Sequence, residues 1–294
     1  MRRKFFLLGL LGFIGCHLFI GSATLHAGSR PPKKAAAGRS NAAKPNRYQA
    51  YLILNANTGQ VLEAENAFLK WPPASLTKLM LAYIVMQKID RGELRLSDQI
   101  KVSRRAAAMG GSQVYLKEGE VFALADLMRA TMIESANDAA YAIGEFVAGS
   151  KEEFIDLMNA RARSLHMQNT VFHSLHGLPP SKGQLADVTT CLDLSILSRA
   201  LLKYPAILEW TSLRRDRFRN GTFFMTSSNR LLSKMQEVDG LKTGYYRRAG
   251  HNIVATAKKE DLRLLGIVLG SPSARVRDAF VMQKFKEYFA RQRR

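Results

Sequence analysis

The chain has 294 residues, of which 47% are hydrophobic, and it carries a formal net charge of +20 at pH 7. This length can bury one sizeable core, and so basic a balance indicates anionic surroundings such as nucleic acid, anionic lipid or an acidic envelope polymer. General solubility explains the charge equally well. The two cysteines are Cys16 and Cys191, and no histidine pair has ligand spacing. We therefore expect neither an internal disulfide nor a structural zinc site.

The first 27 residues have the pattern of an export signal. Residues 2–4 are basic, an uncharged apolar run extends from 5 to 20, and small residues follow, so cleavage is expected after Ala27 or Ala23. An uncleaved membrane anchor is the alternative, because the run is only a little shorter than the roughly 20 residues that span a bilayer. Residues 28–47 are small, basic and proline-bearing, which predicts a flexible linker.

The folded part is expected to begin near Tyr48. Two apolar stretches flank the turn sequence at 57–60, which predicts a hairpin. Two prolines at 72–73 then force an extended approach to a helix. Ser75 is the natural N-cap of that helix, which is expected to end near Asp90.

The middle of the chain is rich in helix formers with apolar residues three and four apart, and strand patterns return after about Arg217. The predicted helices are 123–133, 137–148, 151–165, 187–203 and 273–291, and the predicted strands are 51–54, 61–64, 222–225, 251–257 and 262–269. Strands at both ends with helices between them predict an α+β fold. Its antiparallel sheet is formed from N- and C-terminal strands and flanked by helices, with an inserted all-helical lobe.

Ser75 and Lys78 form the first of three short runs whose side chains could take part in catalysis. They are three residues apart at a helix start, so both side chains lie on one face within reach. A serine hydroxyl is a poor nucleophile until a base removes its proton, and Lys78 can be that base if burial and neighbouring cations lower its pKa. Ser-x-x-Lys alone is common by chance, so this run does not identify an enzyme.

Ser135 and Asn137 form the second run, between two predicted helices. A short loop there can point both side chains into a cleft. Ser135 can relay a proton between Lys78 and a leaving amine, while Asn137 can donate to a substrate carbonyl and hold Lys78 by its amide oxygen. The alternative is an ordinary helix cap, which Ser and Asn often make.

Lys242, Thr243 and Gly244 form the third run, which follows a turn signal and is expected to begin a strand. Lys242 supplies positive potential, the hydroxyl of Thr243 can bind a substrate carboxylate, and Gly244 leaves room for an extended peptide alongside. The amide of Tyr245 can complete an oxyanion hole with the amide of Ser75. The alternative is an ordinary edge strand.

Each run is weak alone, but Ser-x-x-Lys, Ser-x-Asn and Lys-Thr-Gly in this order occur together in active-site serine β-lactamases and penicillin-binding proteins. The chain resembles one branch, the low-molecular-mass penicillin-binding D-alanyl-D-alanine carboxypeptidases, over nearly all of residues 48–280. The likeness extends to the segments 73–75, 169–170, 176–178, 229–232, 238–242, 249–250, 263–264 and 269–270.

This resemblance implies a β-lactamase/transpeptidase-like fold with a penicillin-binding catalytic domain at 48–294. It implies that Ser75 is the acylated serine and Lys78 the general base, with Ser135 in the catalytic machinery. The residues matching the substrate-binding positions are Asn137, Lys242, Thr243, Gly244, Tyr245 and Arg277. Arg277 falls where similar enzymes place an arginine for the terminal carboxylate. His176 matches a histidine near the cleft, for which a core or turn role is the stronger interpretation.

The resulting hypothesis is an exported enzyme of the periplasm or cell envelope. It would remove the terminal D-alanine from peptidoglycan stem peptides and react covalently with β-lactams, without metal or cofactor. Many family members continue into a β-rich domain and an amphipathic membrane anchor. In this sequence only one predicted helix follows the last strand, and its apolar face is needed by the core, so any membrane association is expected through the N-terminal segment.

Four rival functions share parts of this pattern. A D,D-endopeptidase that cleaves cross-links has the same motifs. A class A β-lactamase fits less well, because no Glu-x-x-x-Asn run lies between Asn137 and Lys242. A non-catalytic protein that binds envelope polymers is the alternative from another class. A nucleic-acid binder fits poorly with export.

Overall fold

The computed structural model describes residues 47–291, so the predicted export signal and all of the linker except Arg47 lie outside the described residues. The strands are β1 (Ala50–Asn55), β2 (Val61–Glu65), β3 (Gln99–Lys101), β4 (Val121–Ala123), β5 (Arg215–Phe218), β6 (Phe223–Thr226), β7 (Val238–Tyr246), β8 (Gly250–Lys259) and β9 (Leu262–Ser271). The α-helices are α1 (Lys78–Asp90), α2 (Arg104–Ala107), α3 (Leu124–Ile133), α4 (Asn137–Ala148), α5 (Lys151–Ser164), α6 (Cys191–Leu201), α7 (Pro205–Thr211) and α8 (Ala274–Arg291).

The main sheet has five strands in the order β2-β1-β9-β8-β7, and the pairs are antiparallel. The first two strands of the chain thus pair with the last three, as the sequence predicts. The helices α1 to α7 lie between these groups along the chain. The α+β fold with an inserted helical lobe is therefore confirmed.

The sheet is covered on both faces, which explains why its central strands are apolar almost throughout. Successive residues of β1 point to opposite faces. Leu52 and Leu54 join the core shared with the helical lobe, whereas Ile53 joins a second core with Phe285 of α8. The final helix thus packs its apolar face on the sheet, as its spacing predicts. None of the helices among residues 47–291 is both long and apolar enough to cross a bilayer.

Three elements differ from the sequence predictions. The helix predicted at 187–203 begins at Cys191, because Val188 and Thr189 are extended and bridge to Val171 and Trp71. The predicted strand at 222–225 belongs to a separate β5–β6 hairpin and not to the main sheet. Lys242 lies in the middle of β7 and not at its start, because the strand already begins at Val238.

Candidate active site

Ser75 lies in a 3₁₀ turn, Ala74–Thr77, that leads directly into α1 at Lys78. The prediction that Ser75 caps an α-helix is wrong, because Ser75 lies inside the 3₁₀ turn and the N-cap of α1 is Thr77. The tight turn places Ser75 at the sheet side of α1. Its hydroxyl therefore faces Lys78 instead of the helix backbone.

Three oxygen atoms surround the side-chain amine of Lys78. Its Nζ lies 3.1 Å from Oγ of Ser75, 2.6 Å from Oδ1 of Asn137 and 2.7 Å from the backbone oxygen of His176. The residue is fully buried. Burial, and to a smaller extent the charge of Lys242, holds the pKa of Lys78 well below its usual range, and the charges of Asp187 and Asp138 oppose this only in part.

The three contacts accommodate a neutral amine as well as an ammonium, and the lowered pKa of Lys78 favours the neutral form. A neutral lysine has two N–H donors and one lone pair, whereas the ammonium has three donors. The oxygens of Asn137 and His176 can only accept, so they take the two donors. The lone pair then faces Oγ of Ser75, whose hydroxyl can donate to it. Such an arrangement lets Lys78 receive the proton that a serine nucleophile must lose.

Ser135 and Asn137 lie on the short connection between α3 and α4, as predicted. The helix-cap alternative is wrong, because the N-cap of α4 is Ala136 and no side chain caps it. Asn137 instead spans the site, donating from Nδ2 to the carbonyl of Gly110 at 2.7 Å while its Oδ1 accepts from Lys78. Ser135 is buried and has a φ of +64°, a left-handed backbone that is uncommon outside glycine.

The third run lies on β7, an edge strand of the main sheet that packs against the approach to Ser75. A methyl group added to Gly244 would lie 2.6 Å from the carbonyl oxygen of Pro73 and 2.9 Å from the amide nitrogen of Ser75. Only glycine permits this contact. It brings the strand beside the nucleophile and leaves its outer edge open to an extended ligand.

Lys242 and Thr243 precede Gly244 on the same strand, and both are buried. Lys242 donates to the carbonyl of Thr243 at 3.0 Å, and burial lowers its pKa to about 7 although Glu134 opposes the shift. The hydroxyl of Thr243 lies 2.5 Å from that of Ser228. Consecutive residues of β7 thus carry a buried amine and a buried hydroxyl, the two kinds of group that can bind a carboxylate.

Tyr245 and Arg277 occupy the far end of this strand and the helix behind it. The ring of Tyr245 is exposed and stacks on His251, with ring centroids 4.1 Å apart. Arg277 is buried in α8, where its guanidinium binds Asp278 and donates to the carbonyl of Asn252 at 3.0 Å. The expected roles of both residues in substrate binding stay predictions.

His176 contributes through its backbone. Its ring is buried, burial lowers its pKa to about 3, and its Nδ1 accepts from the amide of Leu178 at 3.1 Å. These features fit the turn role favoured from the sequence. Sequence reasoning missed that the backbone carbonyl of His176 binds Lys78.

Asp187 is a second feature that sequence reasoning missed. Its carboxylate accepts from Thr77 at 2.8 Å and from the backbone amides of His173 and Ser174 at 2.7 and 2.8 Å. It thereby ties the loop that carries His176 to the start of α1. An acidic residue in the first turn of a predicted helix gave no signal of this role, because Thr77 lies 110 residues away along the chain.

Asn252 is the third missed residue. Its Nδ2 donates to the carbonyls of Pro72 and Pro73 at 2.8 and 3.1 Å, and its Oδ1 accepts from the amide of Gly270 at 2.8 Å. It is fully buried within β8. An asparagine inside an otherwise apolar strand is a usable signal, because a buried amide must find partners.

Comparison with known proteins decides the family. Residues 38–273 match the model of peptidase family S11, described as D-alanyl-D-alanine carboxypeptidase. The chain belongs to this family. Two D-alanyl-D-alanine carboxypeptidases are similar to this S11 chain. DacF of Bacillus subtilis is 35% identical, and the match covers 78% of this chain and 59% of DacF. DacC of Escherichia coli is 37% identical, and the match covers 78% of this chain and 58% of DacC.

A solved structure extends the similarity to the fold. Penicillin-binding protein D2 of Listeria monocytogenes, in its ampicillin-bound form, has a TM-score of 0.73 and 31% identity, covering 81% of this chain and 96% of that one. The S11 chain therefore has the fold of a penicillin-binding protein. It spans somewhat less than 60% of the length of the two curated relatives.

Proposed function

We propose that this protein is a serine-type D-alanyl-D-alanine carboxypeptidase that removes the terminal D-alanine from peptidoglycan stem pentapeptides. The observation that carries the proposal is the environment of Lys78. Its Nζ lies within hydrogen-bond distance of Asn137, of His176 and, at 3.1 Å, of Oγ of Ser75, so a neutral amine can donate to the first two and accept the proton of Ser75. Membership of family S11 agrees with this reaction.

In the acylation step, Oγ of Ser75 attacks the carbonyl carbon of the penultimate D-alanine while Lys78 takes the hydroxyl proton. We assign the developing oxyanion to the amides of Ser75 and Tyr245. The close contact of Gly244 with the Ser75 amide supports this assignment, because it holds β7 at the nucleophile. The C–N bond then breaks, and the departing amine receives the proton from Lys78 through Ser135.

Deacylation returns the enzyme to its starting state. Water attacks the ester carbonyl and loses a proton to Lys78, and the tetrahedral adduct then collapses as Lys78 returns that proton to the departing Oγ of Ser75. The product is the shortened stem peptide. The step needs no group beyond water and the side chains already named.

The carboxylate of the departing D-alanine is assigned to the second pair of polar groups. Thr243 and Lys242 are consecutive residues of β7. Asn137 donates one N–H to Gly110, and its second N–H can donate to a substrate carbonyl. Arg277 contributes positive charge from beneath the strand. A β-lactam would acylate Ser75 in the same way, since its strained amide and carboxylate mimic the scissile peptide.

The site of action follows from the N-terminal pattern and the substrate. Residues 1–27 are proposed to direct export and residues 28–47 to link the signal to the domain at 48–294, which would place the enzyme in the periplasm or cell envelope. An uncleaved signal would attach it to the membrane.

The proposal is tested by mass spectrometry of a penicillin adduct together with a digest of a synthetic stem pentapeptide. We expect one adduct per chain on the peptide containing Ser75 and release of a single D-alanine. Ser75→Ala should abolish both while remaining folded, whereas Ser97→Ala, which changes an exposed serine, should abolish neither. Labelling that persists in Ser75→Ala would reject the assignment of the nucleophile.

The same digest separates two rivals. Cleavage of cross-linked muropeptides without release of terminal D-alanine would identify an endopeptidase. Rapid turnover of the penicillin adduct would identify a β-lactamase.

A further inference from the structure

A basic pocket lies beside the catalytic cleft and takes no part in the chemistry proposed above. Its volume is about 230 Å³, and it is formed by the start of the β5–β6 hairpin, the end of that hairpin and the turn that follows. Three arginines, Arg214, Arg215 and Arg230, line it together with serine and threonine hydroxyls. Its lining includes no acidic residue.

The three arginines have no carboxylate partner among the described residues, a feature they share with Arg217 of the same hairpin. Arg129 pairs with Asp216 and Arg219 with Glu120, whereas Arg214, Arg215 and Arg230 form no ion pair among residues 47–291. All three arginines are exposed, so solvent screens much of their mutual repulsion, and an anion lying between them would offset the rest. Guanidinium groups bind the planar fork of a carboxylate particularly well.

One loop separates this pocket from the cleft. Asn229 lines the pocket and donates from Nδ2 to the carbonyl of Gly240 on β7 at 3.1 Å. The residue before it, Ser228, contacts the hydroxyl of Thr243 on the cleft side. The pocket therefore lies near the beginning of β7, and Thr243 lies between the pocket and Tyr245 along the strand.

This position corresponds to the leaving-group side of the cleft. Under the proposed function, the attacked carbonyl lies at the amide of Tyr245 and the carboxylate of the departing residue at Thr243. The departing residue then points toward Ser228 and the arginines. A single D-alanine has only one carboxylate, which Thr243 already binds, so a second anion site suits a larger leaving group.

We propose that Arg214, Arg215 and Arg230 bind a carboxylate on the acceptor peptide of a cross-linked stem-peptide dimer. This inference rests on the proposed function and adds a substrate class to it. In that reaction Ser75 forms the same ester with the donor D-alanine, and the broken amide releases the side-chain amine of the acceptor peptide with the proton that Lys78 took up. The pocket holds the acceptor and does not touch the reacting atoms.

The test is a binding experiment in the Ser75→Ala background, which separates recognition from turnover. Two fluorescent stem-peptide dimers are compared by anisotropy, one with a free acceptor carboxylate and the other with that carboxylate amidated. We expect the free form to bind about ten-fold more tightly, as one charge-assisted contact allows. Arg230→Gln should reduce this ratio to about one.

Arg95→Gln is the matched control, because it removes one exposed positive charge outside the pocket lining and should keep the ten-fold ratio. A thermal unfolding curve for each variant checks that it is folded. Arg214→Gln provides a second variant if Arg230→Gln does not fold. Equal affinity for the two dimers in the Ser75→Ala parent, or a preference that persists without Arg230, would overturn the proposal.

Binding of inorganic phosphate is measured as well, because phosphate is the alternative anion for this pocket. If phosphate binds in an Arg230-dependent way while the two dimers bind equally, the pocket serves phosphate and the acceptor proposal fails. These outcomes are distinct from failure of the proposed function. That failure would appear as a missing penicillin adduct on the unmodified enzyme, whereas a normal adduct with equal dimer affinities rejects the pocket alone.

Discussion

The amine of Lys78 donates to the backbone carbonyl of His176 over 2.7 Å. A carbonyl cannot donate in return, so this contact takes one N–H whichever protonation state the lysine has. The carbonyl is held in place by its own loop, which Asp187 ties to Thr77. The backbone of a residue far from Ser75 in the sequence thus orients the base toward the nucleophile.

The first prediction concerns the pH dependence of acylation. The rate constant for penicillin acylation should rise with pH through the pKa of Lys78, because only the neutral amine can accept a proton. Since burial and Lys242 hold this pKa well below its usual range, the base is available at lower pH than an exposed lysine would be. Stopped-flow acylation between about pH 5 and 10 measures the profile.

A matched substitution tests the cause. Asn137→Asp places a carboxylate where an amide oxygen now lies 2.6 Å from the amine of Lys78, so it should stabilise the ammonium form. The acid limb of the pH–rate profile, over which the acylation rate constant rises with pH, should then move to higher pH by about 1–3 units. Asn57→Asp, at an exposed position, should leave the limb in place. An unchanged limb in Asn137→Asp would show that Lys78 does not control the profile.

The second prediction concerns stability and Lys242. Its pKa of about 7 lies below the ordinary lysine value, so the unfolded chain binds a proton that the folded chain lacks between pH 7 and about 10. This group therefore makes the free energy of unfolding increase as pH rises through that window, and its contribution falls as pH drops toward 7. Lys242→Met should remove the dependence and stabilise the protein at pH 7 by about 1–3 kcal/mol.

The gain should accompany a loss of function. Without Lys242 the positive potential beside Thr243 is gone, so acylation should slow although the protein is more stable. Urea unfolding at pH 7 and pH 9 gives the free energies, and Arg95→Gln provides a control in which a single exposed charge is lost. A less stable Lys242→Met protein at pH 7 would contradict the view that this buried lysine is costly to the fold.

The third prediction concerns the contact between β7 and Ser75. Gly244→Ala would place a methyl group 2.6 Å from the carbonyl of Pro73, so the strand must move away from the nucleophile. We expect acylation to fall by about 100-fold or more, which is the usual effect of losing an oxyanion-hole donor. Gly110→Ala is the control, since an added methyl there meets no atom within 4 Å. Acylation of Gly244→Ala at the parent rate would show that the strand does not shape the oxyanion site.

The sequence predicts the elements whose patterns are local. The apolar spacing of α4 and α8, and the hairpin of β1 and β2, are read correctly to within a few residues. The order of the three motif runs also predicts that their side chains share a site. Lys78 and Asn137 indeed meet although they are 59 residues apart.

The remaining features depend on contacts that no local pattern contains. Strand β5 carries charged residues instead of an apolar alternation, because Asp216 pairs with Arg129 on the helical lobe. The segment before α6 is extended because Thr189 bridges to Trp71. Ser75 is not a helix cap, because the 3₁₀ turn that holds it depends on a partner 180 residues from Pro72 in the chain.

That partner, Asn252, is the subject of the fourth prediction. Its amide donates to the carbonyls of Pro72 and Pro73 and accepts from the amide of Gly270. Asn252→Asp preserves the shape and the acceptor but replaces the donor by a carboxylate oxygen facing two carbonyl oxygens. Because a buried charge without a donor partner is costly, we expect the free energy of unfolding at pH 7 to fall by about 3 kcal/mol or more.

Activity should respond in the same variant, because the approach to Ser75 loses its anchor and the turn is free to shift. We expect penicillin acylation to slow by at least about ten-fold in protein that is still folded at low temperature. Lowering the pH should restore part of the stability, since the introduced carboxyl group, once protonated, can again donate to one of the proline carbonyls. Asn220→Asp, at an exposed position in the β5–β6 hairpin and outside this network, serves as the control, and a pH-independent loss in Asn252→Asp would argue against the proposed donor role.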